Sequence, residues 1–333
     1  MRKYHKALVV AALCAGMALS VTGCSDEPLD GSKTVAAVGE KEMTLGEANF
    51  FLRFQQVQTE TYYKSMLGEG IYDMDLYGDG TTYGQNLKDD VLSQLHEYYI
   101  LEEKAAEYGV ELTEEQKAKI TEAAALFLEE NDANAKEQMT ADQATVERIL
   151  TLMTIGTQMV GEIAMDAEIT VTEADAAQRG FSYISVSKGS GEEALTDAEI
   201  QENKDKLAAA AASTLSGNTL DAAAEEQGLT ANTGNYGKDN TSAYDEAVIA
   251  ALDALSEGEV SDVIETETDL YLVQLTAEFD KEATESRMQS LITEQQTEYY
   301  NEVMAAWMEE YPLTVEDAVW DEVVFDRSYV VIE

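Results

Sequence analysis

Between Asp280 and Pro312 the residues Met288, Leu291, Ile292, Tyr299, Val303 and Trp307 recur at helical spacing, with no second helical stripe beside them. A lone amphipathic helix cannot bury such a face by itself. Its partners must lie earlier in the chain, and the sequence supplies them well before residue 176. Thr44 and Glu47 are spaced as a capping box, with Leu45, Phe50, Phe51, Phe54 and Val57 marking a helix to about Met66. Val91, Leu95, Tyr98 and Leu101 mark another from Leu87 to Tyr108. Thr113 with Gln116, and Thr140 with Gln143, open two more, the second running through Ile149, Met153 and Val160 towards Met165. The loops between them suit antiparallel neighbours. A hairpin, Thr34 to Thr44 with Gly39 at its centre, precedes the first helix.

The intervening stretch has a different period. Phe181, Tyr183 and Ser185 alternate with Ser182, Ile184 and Val186, which predicts a strand. Thr196 and Glu199 box the start of an Ala-rich helix, a short helix follows over Leu220 to Gln227, and Gly228 to Asn240 reads as a loop. Val248 to Leu255 is helical, and two strands close the segment before Phe279. The order β-α-α-loop-α-β-β is that of a compact α+β domain. The expected organisation is therefore α+β overall: a helical domain over 34–175, an inserted domain over 176–279, and a segment 280–333 that folds back onto the first. Val319 to Glu333, rich in Val and aromatics, offers an edge strand.

The beginning of the chain is built as an export signal. Arg2, Lys3 and Lys6 precede an almost wholly apolar run from Ala7 to Val21, which at about 15 residues is shorter than a spanning helix needs. Val21-Thr22-Gly23-Cys24 resembles a bacterial lipobox, which implies removal of 1–23, acylation of Cys24, and a polar tether over 24–33. Several acyl chains on that cysteine anchor a protein stably where one would not. Cys14 leaves with the signal, so the mature chain can form no internal disulfide. A formal charge of −45 repels phosphates, which excludes nucleic acid as a partner and leaves lipid to hold the chain at the outer face of the cytoplasmic membrane.

No metal or cofactor is expected. Asp73 and Asp75 in the Gly-rich stretch 68–84 sit at the first and third places of a calcium loop, but Gly84 stands where the closing Glu is required. The two histidines, His5 and His96, have no second ligand near them in sequence. No phosphate loop or nucleophile elbow is present.

The succession of segments resembles the extracytoplasmic foldases of the PrsA and SurA type, in which a discontinuous helical chaperone domain carries a parvulin-like peptidyl-prolyl isomerase domain. The stretch from Val35 to Gln56 resembles their opening hairpin and aromatic helix. Thr233 to Gly237 resembles the Gly-Gly-Asp-Leu-Gly turn of parvulins, and Ala254 to Ile264 with Asp269 to Leu275 resembles their closing helix end and strands. The resemblance implies a foldase for newly exported, unfolded polypeptides. It also implies two site histidines, and aligning Phe181 to Val186 and Asp269 to Leu275 with the family puts Tyr183 and Tyr271 at those positions. Tyr244 and Val248 fall near the proline-pocket residues. The Cys or Asp that precedes the glycine turn has no counterpart among Gln227 to Asn232.

Prolyl isomerisation crosses a barrier of ~20 kcal/mol without covalent chemistry, so a catalyst need only seat the ring and favour the twisted amide. Tyrosine in place of histidine keeps a polar contact but loses titration near neutrality. The expectation is a chaperone with weak or absent isomerase activity, its clients held on an aromatic and Met-rich surface that includes Phe50, Phe51, Phe54 and Tyr62. The alternative is a ligand-binding or structural surface lipoprotein without chaperone activity.

Overall fold

The computed structural model of the chain describes residues 18–23, 28–67, 70–191, 194–238 and 241–331. Cys24 lies outside the described residues, as does most of the expected signal. The chain forms two units: one contains the described residues up to Ala167 together with those from Glu298 onward, the other is Glu168–Thr297. The division at 167/168 follows the end of the helix Gln143–Asp166, whereas that at 297/298 falls within the returning helix, Lys281–Glu310. The first part of that helix stays with the α+β unit because Thr284 Oγ1 accepts the Gln178 N–H at 3.0 Å and Asp280 N donates to Gln178 O at 2.7 Å.

The first unit starts with β1 (Leu19–Gly23), β2 (Thr34–Val38) and β3 (Lys41–Thr44). Gly39 turns the β2–β3 hairpin at φ 57°, a conformation that costs glycine nothing. The helices α1 (Leu45–Leu67), α2 (Tyr83–Lys104), α3 (Glu114–Glu130), α4 (Ala133–Gln138) and α5 (Gln143–Asp166) follow. The Thr44–Glu47 box forms as predicted, with Thr44 N donating to Glu47 Oε2 at 2.7 Å and Glu47 N to Thr44 Oγ1 at 3.2 Å. The box at Thr113 and Gln116 forms too.

Thr140 does not cap α5. It sits at φ 51° and donates its hydroxyl to Gly46 O at 3.0 Å, while Asp142 accepts the Thr145 N–H at 2.7 Å and starts the helix two residues later than expected. The 70–82 segment is a loop in which the Asp75 carboxylate accepts the backbone N–H groups of Gly78 and Gly80. Among the described residues no three His, Cys, Asp or Glu side chains converge.

The second unit is α6 (Glu173–Ala176), β4 (Gln178–Ser187), α7 (Asp197–Leu215), α8 (Leu220–Glu226), β5 (Ala231–Gly237), α9 (Glu246–Ala254), β6 (Ile264–Glu265) and β7 (Asp269–Ala277), then the start of α10 (Lys281–Glu310). Its sheet is ordered β5-β4-β7-β6, all pairs antiparallel. β5 corrects the expected loop at 228–240. Its Asn, Thr and Gly residues lack strand alternation, and only pairing against β4 makes it extended. One sheet face packs Ile184, Leu270 and Leu272 against Leu207 of α7 and Leu220, Ala223 and Ala224 of α8. The opposite face packs against α9.

The remaining residues close the first unit: the end of α10, β8 (Leu313–Val315), α11 (Asp317–Trp320) and β9 (Arg327–Val331). Tyr299, Tyr300, Val303, Met304 and Trp307 of α10 pack in the core of this unit. β8 extends the hairpin as a third strand beside β2, and β9 pairs with β1. Lys88 Nζ donates to Trp320 O and Val323 O at 2.9 and 3.1 Å, and Arg53 Nη2 to Val324 O at 2.8 Å. The Trp320 carbonyl also accepts the Val323 N–H at 3.1 Å, and the Val323 and Val324 carbonyls lie beyond the end of α11, where buried cations of α1 and α2 supply donors to them.

Between α1, α2 and α5 a second polar group is partly buried. Arg148 donates from both terminal nitrogens to Glu102, reaches Glu47 Oε1 at 3.3 Å, and lies 4.9 Å over the Tyr99 ring. Burial pushes the Glu102 carboxyl up, but the hydrogen bonds and charge of Arg148, with Lys41, outweigh it and hold it below its ordinary value of 4.5. A carboxyl shifted down stabilises the fold above 4.5 and loses that contribution as pH falls through its folded value. Glu102→Gln is therefore expected to cost about 1–3 kcal/mol at neutral pH. Urea unfolding of both proteins should show the gap narrowing below pH 4.5, and a gap independent of pH would refute the assignment.

Candidate functional site

The α+β unit presents one aromatic sheet face, and its composition follows from strand register. With a side-chain period of two, Phe181 and Tyr183 of β4 share a face with Tyr271, Val273 and Leu275 of β7 and with Tyr236 of β5. Tyr183 lies directly opposite Val273, and Tyr271 is its diagonal neighbour, with ring centroids 6.5 Å apart. Both tyrosines are half-buried. Tyr244, in the turn before α9, joins them from above the sheet: its ring meets Phe181 edge-on at 5.0 Å. Val248 of α9 is buried in the same cluster. The structure thus brings together Tyr183, Tyr271, Tyr244 and Val248, the four residues expected in this unit.

Three features of the face were not expected. Phe181 is 1% exposed and touches Tyr183, Tyr236 and Tyr244, so it fills the middle of the cluster. Gly234, opposite Phe181, leaves room for this: a Cβ there would stand 2.6 Å from the Tyr244 hydroxyl and 2.7 Å from the Phe181 ring. Tyr236 donates its hydroxyl to Asp253 Oδ1 at 2.9 Å and accepts from Arg179 Nη1 at 2.7 Å, while Arg179 Nη2 reaches Leu255 O at 3.0 Å. This linkage pins α9 to β4 and β5 at the rim of the face. The sequence signal for Phe181 was its alternation with Tyr183; nothing in sequence links Arg179, Tyr236 and Asp253, which meet only once α9 packs beside the paired β4 and β5.

Burial governs the electrostatics of three tyrosines of the face. Burial pushes the Tyr236 hydroxyl up to about 12, with its bond to Asp253 adding to the effect. Burial also raises Tyr271, with the charges of Asp269 and Asp245 adding, and raises Tyr244, with Tyr183 adding. None of these three groups changes charge near neutral pH. The face can stack rings, seat apolar side chains and donate hydrogen bonds, but these groups supply no base.

The residues expected to line a client surface in the helical unit are placed otherwise. Phe50, Phe51 and Phe54 are core: each is at most 5% exposed, Phe50 packs edge-on to Phe127 at 5.5 Å, and Phe51 packs against Tyr98 at 6.0 Å. The correction has a simple cause. The aromatic face of α1 packs into the core of the unit, while Gln58 and Thr61 on the same helix are exposed, so its aromatic stripe faces neighbours and not solvent. The Tyr62 side chain lies outside the described residues.

Residues 188–285 match the family model described as the PPIC-type PPIASE domain. The match begins just after β4, lies within the α+β unit and includes Tyr244, Val248 and Tyr271 but starts beyond Tyr183. No curated protein sequence matches the chain significantly. Similar solved structures include a SurA-like chaperone of Campylobacter jejuni, at 12% identity and TM-score 0.30, covering 85% of this chain and 98% of that one. The foldase protein PrsA of Streptococcus pneumoniae follows at 17% and 0.32, covering 75% and 96%. PrsA of Bacillus subtilis gives 16% and 0.25, covering 81% and 93%.

Two substitutions test these placements. Gly234→Ala should force Phe181 and Tyr244 apart and destabilise the α+β unit by about 1–3 kcal/mol, measured by chemical denaturation. Phe51→Ala should cost about 3–5 kcal/mol of stability in the helical unit, as truncation of a core aromatic does. A Phe51→Ala protein of unchanged stability would return that ring to the surface.

Proposed function

We propose that the protein is a lipid-anchored extracytoplasmic foldase for exported polypeptides, whose PPIC-type domain isomerises prolyl bonds weakly or not at all. The observation that carries the reading is the shared face of Tyr183 and Tyr271, beside Tyr244 and Val248, in a unit that matches the PPIC-type domain. Anchoring through Cys24 rests on the signal-like composition before it.

The weakness of the isomerase follows from what occupies the face. Lowering the ~20 kcal/mol barrier to prolyl rotation requires a seat for the ring and a dry, polarised surround for the twisted amide. Phe181 and Tyr244 fill the centre of the cluster with the protein's own rings, so a proline ring finds a shelf in place of a pocket. Phenols at Tyr183 and Tyr271 can donate to a carbonyl oxygen, which retains affinity for a peptide better than it retains rate enhancement. Binding that treats ground and transition states alike does not accelerate the reaction.

A proline-isomerisation assay on tetrapeptide substrates, run beside an aggregation-suppression assay with an unfolded protein, tests the proposal. Suppression with little or no isomerisation is expected, and Tyr271→Phe should leave suppression unchanged. Turnover that falls on Tyr271→Phe would instead identify a tyrosine-based isomerase. Absence of both activities would favour a ligand-binding or structural lipoprotein.

A further inference from the structure

We propose that the outer edge of β9 is an acceptor for one extended strand of client polypeptide, the slot that residues 19–23 fill while the export signal is still attached. The inference rests on the reading that the chain is processed before Cys24 and handles exported polypeptides.

β9 is held from two sides. On one, α1 supplies side chains to its backbone: Gln56 Nε2 donates to Arg327 O at 2.8 Å, and Tyr329 N donates to Glu60 Oε2 at 2.8 Å. Backbone groups of alternate strand residues point to opposite edges, so Arg327 and Tyr329 face α1 while Ser328 and Val330 face outward. On that outward side lies β1, antiparallel, with Ser20 opposite Val330 and Thr22 opposite Ser328. These are the register positions at which a pair exchanges both N–H···O bonds.

β1 fits the slot as a strand should. Leu19 is 4% exposed and seated in the core, Val21 packs partly against it, and Ser20 and Thr22 are exposed. The Leu19 N–H donates to Asn131 Oδ1 at 2.9 Å, and Asn131 is itself 2% exposed and anchored by its amide to Phe127 O. Yet all of β1 precedes Cys24, within the segment composed as an export signal. Processing there removes the strand and leaves the side chains that received it.

An edge so uncovered is a template for pairing. Strand addition draws its affinity from main-chain hydrogen bonds and its selectivity from pockets for alternate side chains. A foldase must receive unrelated sequences, and main-chain pairing is indifferent to sequence. The occupant this edge fits is an extended, uncharged segment with apolar side chains two residues apart, the first seated where Leu19 lies.

The test compares exported wild-type protein, its N-terminus read by mass spectrometry, with Cys24→Ala, which retains residues 19–23. The probe is a synthetic peptide of residues 18–23, with a control peptide carrying Asp at the Leu19 and Val21 positions. Processed protein should bind the probe about tenfold or more tighter than Cys24→Ala does, and tighter than it binds the control, as loss of one or two apolar contacts requires. Affinity should not change with salt, and a reduced, alkylated unfolded protein should compete. In Cys24→Ala, the further changes Leu19→Asp and Val21→Asp should displace β1 and restore binding. Equal binding by all chains, or none, overturns the proposal, as does a processed dimer that the probe dissociates, which would give the edge to a second copy. If the exported chain proves unprocessed, the lipoprotein reading fails by itself, and the Leu19→Asp, Val21→Asp chain still decides the edge.

Discussion

The helical unit depends on the bonding of its C-terminal segment to helices formed more than 200 residues earlier, and that bonding is charged and buried. Asn49, Arg53, Gln56 and Glu60 recur at helical spacing along α1, and every one is at most 8% exposed. Arg53 is 3% exposed: its three nitrogens donate to Asn49, Gln56 and the Val324 carbonyl, and its guanidinium lies over Phe325 and Tyr329. Lys88 does the same from α2 for Trp320 and Val323, over the Trp320 ring. Buried cations are costly unless fully partnered, and irregular carbonyls are costly unless they find donors. Each requirement is met by the other, which makes the closure specific as well as stable.

That arrangement explains how a chain can be interrupted by a whole second unit and still complete the first. α10 contributes apolar area, through Met304 and the aromatics near it, but area alone is tolerant of sliding. The polar contacts of residues 320–329 are not tolerant. They set one register for β9 against α1, and hence determine which edge of β9 faces outward. The His96 ring nitrogen meeting Tyr311 O at 2.6 Å belongs to the same set, and gives the histidine a structural part in place of a ligand's.

In the α+β unit, register plays the corresponding role. One antiparallel alignment of β4 with β7 puts Tyr183 diagonal to Tyr271, and a slip of one residue would put the two rings on opposite faces of the sheet. The glycine at 234 then sets how closely Phe181 and Tyr244 approach. The result is a face that can bind but has no group titrating near neutrality among Tyr236, Tyr244 and Tyr271, whose hydroxyls burial pushes up.

Much of this was legible in the residues alone. Helices with a strong stripe and a capping box, such as α1, α3 and α7, start where their Thr caps stand, because cap and first turn are local chemistry. The α+β character and the alternation in β4 are local as well. What the sequence by itself determined is therefore which segments are helix or strand wherever side-chain period and caps agree. Tertiary structure alone decided that β5 is a strand, that Thr140 yields its cap to Asp142, that the α1 aromatics are core, and that Arg179 meets Asp253. Each of these depends on a partner distant in the chain, and no local period can register a contact that exists only after the chain has folded.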